Sequence, residues 1–100
     1  GPWIETEVEE PDNQQIVTRV NGEIKQDSIT SDMVFSPLEL VSYISQVMTL
    51  LPGDVVLTGT PPGIGPLAEG DEVRVEIEKV GLLINTVAAE PEPARQDVLQ

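Results

Sequence analysis

Ile16-Val17-Thr18-Arg19-Val20-Asn21-Gly22-Glu23-Ile24-Lys25-Gln26-Asp27 is the stretch whose reading decides the fold. Its first five residues are mostly β-branched, and such side chains fit a pleated, half-buried surface. Asn21-Gly22 then separates two strand-like runs by two residues. Asn-Gly is a strong short hairpin signal, because the tight turn needs positive φ at both central residues. A second pair is predicted further on, where Val73, Val75 and Ile77 alternate with Glu72, Arg74, Glu76 and Glu78. That alternation describes a strand with one solvated face. Glu69-Gly70-Asp71 turns the chain into it, and Lys79-Val80-Gly81 turns it out into a partner strand over Leu82–Val87.

Between the two hairpins lies one helix. Ser36 is placed to cap it, Pro37 suits the first helical position, and Glu39 can complete a capping box. Leu38, Val41, Ile44, Val47 or Met48, and Leu51 recur at helical spacing. The pattern predicts an amphipathic helix over about 37–50 whose apolar stripe is core, packed on a sheet. Ser28 to Phe35 before it reads as a connecting loop. Pro52-Gly53 after it cannot continue it. Asp54-Val55-Val56-Leu57 then reads as a short buried strand, running into Thr58-Gly59-Thr60-Pro61-Pro62-Gly63-Ile64-Gly65-Pro66. A loop of threonines, glycines and prolines at a strand end offers backbone N–H groups and hydroxyls where small anions sit. The alternative is a rigid turn between strands. The expected fold class is α+β, mostly β.

Bulk properties narrow the classes of function. One hundred residues suggest one small domain or part of a larger one. Eighteen acidic residues against five basic give a net charge of −13. This argues against nucleic acid, which needs a basic footprint, and against anionic membrane surfaces. No apolar run reaches membrane-spanning length and no leader pattern opens the chain. With no cysteine there are no disulfides or thiolate sites. A soluble, cytoplasmic chain is the expectation. A dense acidic surface poor in lysine suits concentrated salt, which screens self-repulsion; an ordinary acidic protein with an acidic tail is the alternative, and in either case residues 89–100 are expected to be an acidic flexible tail.

Candidate chemistry is sparse. Glu5 with Glu7, and Glu76 with Glu78, have the i, i+2 spacing that puts two carboxylates on one strand face, as a hard cation would require. The second pair lies opposite an apolar face and reads better as solvated. The first sits in a generally acidic run where such spacing carries little information. There is no histidine, and no Ser/His/Asp set, Cys/His set or phosphate loop with a following lysine can be assembled. We therefore assign no catalytic residue and no metal ligand within the chain.

Several segments in order resemble the C-terminal half of the fumarylacetoacetate hydrolase family. They are Gly1-Pro2-Trp3-Ile4, Val20-Asn21-Gly22-Glu23 with Gln26, Thr30-Ser31-Asp32-Met33-Val34-Phe35-Ser36, Ile44-Ser45, and Thr49-Leu50 with Pro52 through Pro61. Gly63-Ile64-Gly65-Pro66-Leu67 and Gly70-Asp71 extend the likeness, which covers about residues 1–88. The resemblance implies a mixed β-sandwich roll that dimerises, and a divalent-metal enzyme acting on 2-oxo acids. Magnesium or manganese would chelate the 2-oxo carboxylate in the complete enzyme. It implies that Thr60 binds the substrate carboxylate, with Gly59 beside it and Thr58, Pro61 and Gly63 shaping the pocket loop. The family's metal ligands, its substrate-binding lysine and its acid/base pair all precede the Gly-Pro-Trp segment. The expectation is thus a C-terminal segment, inactive alone, that needs the missing N-terminal half. A non-catalytic folding or dimerisation module with a purely structural loop is the competing reading.

If the acidic surface is a salt adaptation, melting temperature should rise between dilute and molar salt. Flat melts across that range would refute it.

Overall fold

The computed structural model describes residues 4–90. The Gly1-Pro2-Trp3 motif and most of the expected acidic tail lie outside the described residues. The chain folds as β1 (Gln15–Val20), β2 (Glu23–Ile29), α1 (Pro37–Val47), β3 (Glu72–Ile77) and β4 (Gly81–Thr86). A single 3-10 turn, Thr30–Asp32, follows β2. The strands form one antiparallel sheet in the order β2-β1-β3-β4. Both predicted hairpins are present, and β3 returns to pair with β1.

Asn21 and Gly22 both take positive φ, 51° and 83°, as the turn type demands. Asn21 also joins two turns. Its amide donates to Asp71 Oδ1 at 2.9 Å, and its Oδ1 accepts from the Glu72 N–H at 2.9 Å. The Ala68 backbone N–H, and then the Asn21 amide, hold the Asp71 carboxyl below the ordinary carboxylate range.

Residues opposite each other across a ladder share a face. By that rule Ile16, Val20, Val73, Val75, Ile77 and Leu83 lie on one side of the sheet, where all are half-buried. Among the described residues the only buried hydrophobe is Val17, 8 % exposed. The buried polar residue is Gln14, 4 % exposed, and every polar atom of its side chain is used. Its amide nitrogen donates to the Glu10 and Asn13 carbonyls, and its oxygen accepts from the Lys79 N–H at 3.0 Å. Its backbone exchanges bonds with Thr30, whose hydroxyl accepts from the Gln14 N–H and whose N–H donates to the Gln14 carbonyl.

The structure departs from the sequence reading in four places. β2 runs through Ile29, taking in residues expected to open the loop. The helix begins as expected, with the Ser36–Glu39 capping box and Pro37 in its first turn, but it ends at Val47 instead of about residue 50. Met48 is already extended, and the proline after Leu51 disfavours helical backbone at that residue. Its apolar stripe does not pack on the sheet: Leu38, Val41 and Val47 are 47–68 % exposed. Asp54–Leu57 is not a strand, and Val55 and Leu57 are 80 % and 90 % exposed. A strand exists only by pairing, and this segment has no ladder partner among the described residues. What precedes it is a closed turn, in which Leu51 and Asp54 exchange two hydrogen bonds around Pro52 and Gly53.

Among the described residues, apolar side chains are left uncovered on α1 and in the segment that follows it. No described helix is long and apolar enough to cross a membrane.

Replacing Gln14 with leucine should remove the partner of the Lys79 N–H and lower stability by about 1–3 kcal/mol. Equilibrium urea unfolding measures this; an unchanged midpoint would show that the buried amide is dispensable.

Candidate functional site: the Gly-Thr loop on the bulged edge of β2

β2 carries one residue more than its partner. Thr18 pairs with Gln26 while Arg19 pairs with Ile24, so Lys25 is an extra, unpaired residue in the ladder. Such a bulge bends the strand and re-aims the side chains beside it. Here it places Gln26 opposite Thr18, on the half-buried side of the sheet, with the Lys25 carbonyl turned to the loop at Gly63.

The Thr58–Gly63 segment lies against this edge of β2. Gln26 Nε2 donates to Thr60 Oγ1 at 2.7 Å and to the Pro61 carbonyl at 2.8 Å. Gly63 has φ +112°, and a Cβ there would overlap the Lys25 carbonyl oxygen. Glycine is required at this position both by conformation and by close approach. At Gly59 the φ is +92° but nothing stands within 4 Å of where a Cβ would go.

A cleft of about 610 Å³ opens between this loop, the end of β2 with its 3-10 turn, and Leu40 of α1. Of the predicted site residues, Thr58, Gly59, Thr60 and Pro61 border it. Gly63 does not; it backs onto β2. Thr60 and Gly59 are exposed to the cleft, and Met33, Val34 and Phe35 form an apolar side. Asp27 and Asp32 also line it, and no lysine or arginine among the described residues does. Sequence reading did not single out Gln26 as a site residue. Its only signal there was its place beside Val20-Asn21-Gly22-Glu23 in the segment that resembles the family; the bulge that turns it toward the loop has no sequence mark.

One carboxylate of each glutamate pair accepts a backbone N–H. Glu5 Oε1 accepts the Glu7 N–H at 2.9 Å, and Glu78 Oε1 accepts the Gln15 N–H at 2.8 Å. Among the described residues no group of three or more His, Cys, Asp or Glu is arranged to hold a metal ion. The described donors therefore do not fit a metal centre of their own.

The chain belongs to the fumarylacetoacetate hydrolase family, matching the description "Fumarylacetoacetate (FAA) hydrolase C-terminal" over residues 1–88. It is 49 % identical over 96 residues to a mitochondrial oxaloacetate tautomerase of Bos taurus, covering 87 % of this chain and 31 % of that protein. Its fold is similar to that of 2-hydroxyhepta-2,4-diene-1,7-dioate isomerase from Mycobacterium marinum, with a TM-score of 0.81 and 48 % identity over 92 % of this chain and 36 % of that one. Maleylpyruvate hydrolase from Sphingobium sp. SYK-6, in complex with manganese(II) and pyruvate, gives 0.81 and 39 % identity over 88 % of this chain and 34 % of that one. The chain thus spans about a third of the length of these relatives.

Gly63→Ala should destabilise the protein by at least about 1 kcal/mol, since alanine at positive φ is strained and here also meets backbone. Gly59→Ala, with open space around it, should cost less. Thermal melts of both variants decide this; equal losses would mean the approach to Lys25 is unimportant.

Proposed function

We propose that this chain forms the carboxylate-binding wall of a divalent-metal-dependent enzyme acting on 2-oxo acids. The reaction would be hydrolysis of a carbon–carbon bond, decarboxylation or isomerisation of acylpyruvate-like or fumarylacetoacetate-like substrates. The observation that carries the reading is the exposed Thr60 hydroxyl at the mouth of a cleft, with Gly59 open beside it. A hydroxyl proton and nearby backbone N–H groups are suited to a carboxylate oxygen.

Charge adds a constraint. Asp27 and Asp32 border the same cleft and no basic side chain among the described residues does, so an anionic substrate would enter an unfavourable field. A magnesium or manganese ion would offset that field and polarise the 2-oxo group. In this proposal its ligands come from outside this chain's described residues, and the segment alone is inactive. Thr60 binds and orients the carboxylate, while Phe35, Val34 and Pro62 give the cleft an apolar side that limits water.

The exposed apolar face of α1 favours a chain that is covered in the assembled protein. In this reading it meets the portion of the relatives that the chain does not span, and the assembly is a cytoplasmic homodimer. A purely structural module would share that face, so the two readings separate at Thr60. Thr60→Val in the full-length protein should weaken pyruvate binding by about 1.5–3 kcal/mol, the worth of one charge-assisted hydrogen bond. Calorimetric titration with manganese present measures it. Unchanged affinity together with a lowered melting temperature would leave the loop a structural role only.

A further inference from the structure

The Gln26–Thr60–Pro61 arrangement excludes one direction for the Thr60 hydroxyl proton, the one toward Gln26. A side-chain amide can present either its oxygen or its nitrogen to a neighbour, and the bonding partners decide which. The Pro61 carbonyl can only accept. The group 2.8 Å from it must therefore be the Gln26 NH2, and the same nitrogen lies 2.7 Å from Thr60 Oγ1. Its second proton goes to the threonine oxygen, which becomes an acceptor on that side. The hydroxyl's own proton is left for an acceptor elsewhere, and Thr60 borders the cleft.

Two further features hold this polarity in place. The bulge at Lys25 sets Gln26 opposite Thr18, and Gln26 is half-buried while Lys25 and Asp27 on either side are exposed. Gly63 fixes the far end of the loop on the Lys25 carbonyl. The loop is therefore held on β2 at two adjacent residues.

We propose that Gln26 is a positioning residue: through its paired bonds to Thr60 and Pro61 it orients the Thr60 hydroxyl as a donor to a carboxylate in the cleft. This rests on the reading of Thr60 as the carboxylate contact. Without Gln26 the hydroxyl is free to rotate, and it can spend its proton on the protein.

A double-mutant cycle in the full-length protein tests it, with pyruvate as the probe, manganese present and affinity read by calorimetry. Gln26→Met keeps the length of the side chain and removes both donors. It should weaken pyruvate binding about tenfold, the effect of about one hydrogen bond. In the Thr60→Val background the same change should have almost no further effect, because coupled residues are not additive. Gln26→Glu runs the same cycle if the methionine variant does not fold. It offers the Pro61 carbonyl no donor when ionised and accepts the Thr60 proton, so its loss should be at least as large.

If Thr60→Val leaves pyruvate affinity unchanged, the carboxylate reading fails and the inference goes with it. If Thr60→Val weakens binding but the Gln26 change does not, or if the two losses add, the carboxylate contact stands and the positioning role is overturned.

Discussion

A buried amide, not an apolar core, joins the separate parts of this chain. Gln14 receives the turn after β3, holds the segment before β1, and meets Thr30 at the end of β2. All of these contacts are hydrogen bonds made where the residue is 4 % exposed, and in such surroundings an unpaired group is costly. The three turns are thereby fixed relative to each other whether or not the sheet's apolar face is covered. That matters in a structure whose described residues bury a single hydrophobe.

The site depends on the same strand order. β2 is an edge strand, and an unpaired edge is open to any chain that can pair with it. The Gly-Thr-Pro loop is held to that strand by the Gln26 side chain, which donates to Thr60 Oγ1 and to the Pro61 carbonyl. Thr60 and Pro61, which take those bonds, also border the cleft. The 3-10 turn after β2 and Leu40 of α1 close the other sides, so the hairpin, the helix start and the loop all contribute.

Local rules made much of this legible in the sequence. The Asn21-Gly22 turn, the alternation of β3, the capping box at Ser36 and the strand over Leu82–Thr86 each depend on residues close in the chain, and all are present. The order of motifs pointed to the right family. Misreadings came where the expected state needed a distant partner. Among the described residues, Asp54–Leu57 has the composition of a buried strand but finds no ladder, and the stripe on α1 finds no surface to cover it. Apolar composition says that a segment will be buried in its final setting, and not that this chain contains what buries it. The family pattern named Thr60 and included Gln26, but neither the bonds of Gln26 nor those of Gln14 were legible, because a glutamine's role is set by which groups surround it, and no periodicity encodes that.

The bulge at Lys25 makes the sheet's bookkeeping of faces matter to the site. In a regular ladder Lys25 would oppose Thr18, and Gln26 would sit opposite Val17, on the other side of the sheet. One supernumerary residue therefore swaps which side of the sheet every later β2 side chain occupies. Shortening β2 by that residue would keep Gln26 opposite Thr18 while withdrawing the carbonyl that Gly63 rests on. Lengthening it by one would carry Gln26 to the far face and orphan the loop entirely. The hairpin is thus intolerant of insertions on one strand in a way its exposed position does not suggest, and its length is a constraint imposed by the cleft and not by the turn.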